Sequence, residues 1–261
     1  MATVVVLADP PRDGLVLPDV AGSSALDPAD ATAVYAAFLR DAATAAANSG
    51  GDLLVNYRPD DLLPEAHRGD ADEDGRETAE ATVRAALAPA LDDPDEVRFE
   101  PQVGSTRSAR VGNTVTHLLR EEGASGVVVL DPRAPLLGRT GVDEVAMKLR
   151  RSEVVVAPST RGRVAAMAFA DTLDFEGALS APAVTRLTER ALAADLDVDF
   201  RAVEPLVETG SDLATLVSLV RARADAGRTR PAFTAGTIEE LDLRPAAADD
   251  GVTVRAGTDS S

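Results

Sequence analysis

Short apolar, β-branched runs alternate along this chain with longer stretches whose apolar residues recur at three- and four-residue spacing. Val4–Ala8 is the first run, closed by Asp9-Pro10-Pro11, and reads as a buried strand. A loop rich in Pro, Gly and Ser follows, from Pro10 to Ser24. Asp27-Pro28 then supplies an N-cap and a first helical residue. The helix that they open is Ala29–Asn48, Ala-rich, with Val34, Phe38 and Leu39 on one face and Gly50-Gly51 beyond its end. Asp52–Tyr57 is a second strand.

Residues His67–Glu80 are dominated by Asp, Glu and Gly and read as a solvated acidic insertion. Helix resumes over Thr78–Leu91, and Val97–Gln102 is a short strand. Gly104–Asn113, rich in Gly, Ser and Arg, reads as a loop before a helix that runs to Glu122. Gly126–Leu130 is the most strand-like segment of the chain. Asp143–Arg151 is helix, Glu153–Ala157 and Val164–Phe169 are strands, and Ala183–Leu196 is helix. Val198–Val203 is a strand and Asp212–Ala224 the last long helix. From Asp225 onward Gly, Pro, Thr and Asp dominate, which predicts a loosely structured tail, 225–261, with one short helical turn near Glu239.

Strands and helices at this spacing predict one α/β domain over 1–224, doubly wound, with a mostly parallel sheet and helices on both faces. Ligands of such sheets bind outside the carboxyl ends of the strands. That rule points to the loops after Ala8, Gln102, Leu130, Ala157 and Val203.

Composition narrows the picture. The 261 residues carry 44 acidic against 26 basic side chains, a net charge of -18. Lys148 is the only lysine and Ile238 the only isoleucine. Such a surface repels itself unless salt screens it, so the simplest source is a salt-rich cytosol, and the acidity reads as solubility. No basic stripe with interleaved aromatics exists to neutralise phosphates, which argues against nucleic-acid partners. With no cysteine, disulfides and thiol catalysis are excluded. No signal peptide and no apolar run of ~18 residues is found, so a soluble, cytoplasmic protein is expected. The Rossmann glycine fingerprint, the P-loop and the serine elbow are all absent. His67 and His117 have no partners at metal-ligand spacing.

Several segments, in order, resemble a family of glycosyltransferase-like proteins. Ala33–Asp41 is similar to a first helix written A-x-x-L-Y-x-A-F-L-x-D. Gln102 and Arg110 stand as the outer residues of Q-G-x-G-D-L-G-x-R. Gly126–Leu130 followed by Asp131–Leu136 takes the place of a strand and T-D-C-P-D-L metal loop. Val154–Pro158 with Gly162, Leu179–Val184 and Val207–Leu213 resemble V-x-G-P-x-x-D-G-G, W-S-T-P-x-V and V-D-T-P-E-D-L.

The family has the A-type glycosyltransferase, or nucleotide-diphospho-sugar transferase, fold. It is related to the nucleotidyltransferases that make molybdenum-cofactor dinucleotides and 2-phospho-L-lactate guanylyl intermediates. The resemblance covers most of 1–224 and implies a nucleotide or nucleotide-sugar ligand and an Mg or Mn ion.

The departures are specific. The lysines of the family's phosphate-gripping first loop are missing from Asp9–Pro18. Aligned on Pro135, the metal-loop aspartates fall on Arg133 and Leu136, and D-G-G becomes Arg161-Gly162-Arg163. Carboxylates that remain for metal-assisted transfer are Asp131, Glu208 and Asp212, with Asp131 and Glu208 the catalytic candidates. Asp131 is equally an Asx-turn cap, and Asp212 equally a helix N-terminal acid. Gln102, Arg107, Arg110, Arg133, Arg161 and Arg163, with Arg139 nearby, gather in loops predicted at the carboxyl edge. Arginine forks suit phosphate, and equally suit neighbouring surface acids. Two functions stay open: a metal-dependent glycosyl- or nucleotidyltransferase, or a non-catalytic binding or regulatory protein that keeps the fold.

Overall fold

Alternation within the strands sets the architecture. In β1 (Thr3–Ala8), Val4, Val6 and Ala8 enter one hydrophobic cluster while Val5 and Leu7 enter another, so both faces are buried. β4 (Val127–Leu130), β5 (Val154–Pro158) and β6 (Val164–Phe169) divide between the same two clusters. With β2 (Asp52–Tyr57), β3 (Arg98–Pro101) and β7 (Val198–Phe200) they form a seven-stranded sheet in the order β3-β2-β1-β4-β6-β5-β7. This is seen in a computed structural model that describes residues 2–69, 77–94, 96–248 and 251–257.

Every pairing is parallel except those of β6, which runs antiparallel to both β4 and β5. The cause is local. Only Ser159–Arg163 separate β5 from β6, too few residues for a parallel crossover. The carboxyl ends of the parallel strands therefore share one edge with the start of β6.

Helices cover both faces, as the alternation predicts. On one lie α2 (Pro28–Ala47), α3 (Ala79–Leu87), α5 (Gly138–Lys148) and α7 (Gly210–Asp225). The other holds α4 (Arg107–Arg120) and α6 (Ala183–Ala193). α2 starts at a capping box in which Asp27 accepts from the Asp30 amide at 2.8 Å. α1 (Pro18–Ser23) is a short helix inside the stretch that composition marks as loop. It packs against the start of α7, where a Cβ on Gly210 would lie 2.3 Å from the Ser23 carbonyl oxygen. Only glycine permits that approach.

Two further differences from the sequence reading concern elements. α4 begins at Thr106, whose side chain caps the Ala109 amide at 3.1 Å, so Arg107–Asn113 is helix rather than loop. The tail is folded where it is described. α8 (Ala232–Glu240) and a hairpin of β8 (Arg244–Ala248) and β9 (Gly251–Arg255) pack on the α2 face, burying Ile238, Leu243 and Val254. Asp41 anchors them. Its buried carboxylate accepts from the Phe233 amide at 3.1 Å, the Thr234 amide at 2.7 Å and the Thr234 hydroxyl at 2.6 Å. Composition hides this because the anchor lies 192 residues earlier. Of the acidic insertion, residues 70–76 lie outside the described residues.

Candidate functional site

Leu130 ends β4 at the sheet's carboxyl edge, and Asp131 follows it into the protein rather than into solvent, with its side chain 2% exposed. Its backbone still belongs to the sheet, the amide donating to the Ala165 carbonyl at 3.0 Å. Oδ1 accepts from the Arg133 amide at 3.0 Å, an Asx turn that closes the strand. The Arg133 fork then grips both carboxylate oxygens, Nε to Oδ1 at 3.0 Å and Nη2 to Oδ2 at 2.7 Å. Arg107 adds a bond to Oδ2 at 2.8 Å. Burial alone would raise the Asp131 carboxyl's pKa, but the two guanidiniums and the amide hold it well below the ordinary carboxylate range.

Arg133 also reaches a second acid, with Nη1 2.8 Å from Glu208 Oε1. The Arg133 carbonyl accepts from the Val207 amide at 2.8 Å, which fixes the Glu208 segment beside the β4 loop. Glu208's other oxygen accepts from Arg163 at 3.0 Å, and Arg163 bonds both oxygens of Asp212 at 2.9 and 3.1 Å. Asp212 is at the same time the capping-box acid of α7, accepting from the Thr209 and Glu208 amides at 3.2 Å. The result is one chain of alternating charge, from Arg107 through Asp131, Arg133, Glu208 and Arg163 to Asp212.

The turn between β5 and β6 carries strain at this site. Arg161 is left-handed at φ 60, a conformation rare for a residue with a Cβ, and Gly162 follows at φ 69. Gly162 suits that conformation, and Arg161 adopts it beside the charged chain. The Arg161 guanidinium is exposed, 3.3 Å from the Ser211 hydroxyl and 4.0 Å from Asp212.

Arg107 and Arg110 project from the first turn of α4, three residues apart and therefore on one face. Positive side chains there oppose the helix dipole. Arg110 is half-buried, its Nε has no hydrogen-bond partner, and burial with the nearby Arg58 and Arg107 charges lowers its pKa. Gln102, buried at the end of β3, donates to the Asn56 carbonyl at 2.7 Å. Arg139 stands apart, exposed, and pairs with Asp143 at 3.3 Å.

The first loop is differently used. Its arginine, Arg12, bonds Asp60 at 2.8 Å, the carbonyls of His67 and Glu77, and the Thr82 hydroxyl. Arg12 thus holds the flank of the acidic insertion.

These groups surround two adjoining cavities. The larger, of about 380 Å³, is lined by Gln102, Arg107, Arg110, Asp131, Arg133 and Glu208 together with first-loop residues. The smaller, of about 200 Å³, shares Arg107, Asp131, Arg133 and Glu208 and adds Arg161 and Arg163. Asp212 supports Arg163 and lines neither. Together the cavities hold five arginines and four carboxylates, Asp9 and Asp19 included, in a chain of net charge -18. Sequence reasoning missed Tyr35 and Leu17. The Tyr35 hydroxyl accepts from the Asp9 amide at 2.9 Å, and its pKa is driven up by burial and then by Asp9. Leu17 is buried and left-handed at φ 49. Tyr35 is one of only two tyrosines and lies in the helix motif, the one signal that marked it.

A divalent cation needs oxygens that are free to converge on it. Here the oxygens of Asp131, Glu208 and Asp212 accept from guanidiniums, and among the described residues no three His, Cys, Asp or Glu side chains are grouped to hold a metal. In this arrangement the residues do not fit a divalent cation. Among the described residues, no helix is long and apolar enough to cross a membrane.

No protein-family model and no curated protein matches the chain. Among solved structures it is similar to a candidate nucleotide-diphospho-sugar transferase from Desulfovibrio desulfuricans G20. The TM-score is 0.73 over 93% of this chain and 96% of that one, at 19% identity. That likeness shows the fold, which is the one expected from the sequence. A cytidylyltransferase from Leptospira borgpetersenii serovar Hardjo-bovis aligns over 93% of this chain and 94% of that one, at 11% identity and a TM-score of 0.49. Rv0371c from Mycobacterium tuberculosis, solved in complex with manganese, aligns over 82% and 96%, at 20% identity and a TM-score of 0.44. Neither of these two likenesses bears on the argument.

Proposed function

We propose that this chain is a glycosyltransferase-like or nucleotidyltransferase-like protein that binds a nucleotide or another phosphorylated ligand at the carboxyl edge of its sheet. Arg110 carries the reading. Its guanidinium lines the larger cavity, its buried Nε has no hydrogen-bond partner, and the charges of Arg58 and Arg107 that act on it outnumber that of Asp9. Such a group is stabilised by an anion with several acceptor oxygens, and a phosphate is the natural match for its fork. Arg107 shares the face and Arg161 lines the adjoining cavity, so positive groups line both cavities. The shared fold with a nucleotide-diphospho-sugar transferase candidate supports a nucleotide as the bearer of those phosphates.

Saturation-transfer NMR against UDP, GDP, CTP and GTP tests this, with Arg110→Ala and Arg161→Ala as controls. Transfer to one nucleotide class, weakened in both variants, is the expected result. No transfer to any of them, or the same transfer in both variants, refutes it.

The pairing of all three candidate carboxylates with arginine favours a second reading, that of a binding or regulatory protein without metal-dependent chemistry. Product formation from a bound nucleotide sugar or triphosphate, dependent on added Mg²⁺ and lost in Asp131→Asn, would rule that reading out.

A further inference from the structure

We propose that the Arg133 guanidinium is a built-in replacement for a divalent cation, bridging Asp131 and Glu208 so that the site neutralises a bound anion without metal. The proposal depends on the side chains themselves, whether or not the ligand is a nucleotide.

The geometry is that of a bridging cation. One edge of the guanidinium grips both oxygens of Asp131, at 3.0 and 2.7 Å, and the opposite nitrogen reaches Glu208 at 2.8 Å. A metal between these carboxylates would bring the oxygens to about 2.0–2.2 Å of its centre. The planar fork fills that volume and spends all three nitrogens on it. Asp131 Oδ2 accepts from Arg107 as well, and the one remaining oxygen, Glu208 Oε2, accepts from Arg163. A cation therefore enters only if Arg133 leaves.

Electrostatics point the same way. A metal would bring two positive charges, and Arg133 brings one. With Arg107 and Arg163 it balances the three carboxylates Asp131, Glu208 and Asp212, leaving Arg110 and Arg161 to face a ligand. Arginine remains charged across the accessible pH range, so this neutralisation does not depend on metal supply or on proton uptake. The arrangement is also held from behind. The Arg133 amide and carbonyl are both bonded, to Asp131 and Val207, so the side chain starts from a fixed backbone.

The test is Mn²⁺ binding without any nucleotide, followed by electron paramagnetic resonance of the free ion in molar KCl, which screens diffuse binding to the acidic surface. The proteins are the wild type, Asp131→Asn, Arg133→Gln and Arg133→Met. Gln retains a hydrogen-bond donor for Asp131, and Met retains volume, so a failure of one to fold leaves the other to be read. Wild type and Asp131→Asn are expected to bind Mn²⁺ equally weakly. At least one folded Arg133 variant is expected to bind it tenfold more tightly and to show a thermal midpoint that rises with Mn²⁺, as a ligand specific to the native state requires. Wild-type Mn²⁺ binding that Asp131→Asn abolishes overturns the proposal. So does the absence of any gain in folded Arg133 variants, because the arginine is then not what keeps the cation out. Nucleotide is absent throughout, so these results are separate from the ligand-binding experiment.

Discussion

Arg110 pays for its position in the ligand-free protein: a half-buried guanidinium with its Nε unpartnered, acted on by two like charges, Arg58 and Arg107, and one opposite charge, Asp9. An unsatisfied buried polar group costs about 1–3 kcal/mol. Arg110→Met is therefore expected to raise the stability of the free protein by about 1 kcal/mol while abolishing the response to phosphorylated ligands. Chemical denaturation with and without ligand measures both, and a variant that is destabilised and still responds would remove Arg110 from the site. Asp131 lies at the other extreme. Its folded carboxyl binds protons more weakly than the unfolded one, so its stabilisation is complete above about pH 4 and is lost as the pH falls below that. Asp131→Asn should cost about 3 kcal/mol at neutral pH, where the Arg133 charge is left without its main partner. It should also flatten the acid limb of a stability-pH curve below about pH 4. A variant that unfolds in acid as steeply as wild type would contradict the assignment. Element order places Arg107, Arg110, Arg133, Arg161 and Arg163 in segments that line the cavities, and wrongly groups with them Arg139, which stands apart. It does not show that Arg133 turns back on Asp131, or that Arg12 turns away towards Asp60, because both follow from side-chain packing between distant segments.

At the scale of elements, most strands are legible because two buried faces require continuous apolar runs, as in Val127–Leu130 and Val164–Phe169. α4 was obscured by composition. Arg107, Ser108 and Arg110 read as loop chemistry, yet Thr106 caps a helix there, and that cap aims two arginines at the cavity. α8 was obscured by distance, since what fixes it is Asp41 on α2. Replacing Asp41 by Ala leaves the buried Thr234 amide and hydroxyl without their acceptor, a cost of about 2 kcal/mol. Hydrogen exchange over Ala232–Glu240 should accelerate in that variant while β1 and β4 keep their protection. Equal loss of protection throughout the sheet would show that α8 has no separate opening.

For the whole molecule, the net charge is -18. The two cavities depart from that balance, with five arginines against four carboxylates. Self-repulsion of the acidic surface is screened as the Debye length shrinks from ~10 Å at 0.1 M salt to ~3 Å at 1 M. The thermal midpoint is accordingly expected to rise with KCl over that range, and a flat or falling midpoint would contradict the reading of the acidity as a surface suited to salt. The loops to which the carboxyl-edge rule points line the two cavities, because strand direction decides which loops converge. The position of β6 was beyond it, since a run such as Val164–Phe169 carries no mark of its neighbours.

The most direct test of the central claim is a thermal-shift titration of UDP, GDP, CTP and GTP in molar KCl, run once with a chelator and once with Mg²⁺. A nucleotide that binds the native state at a hundredfold excess over its dissociation constant stabilises it by about 2.7 kcal/mol. The expected result is a shift for one nucleotide class that is the same with chelator as with Mg²⁺. A shift that appears only with Mg²⁺, or no shift with any nucleotide, would contradict an arginine-neutralised site.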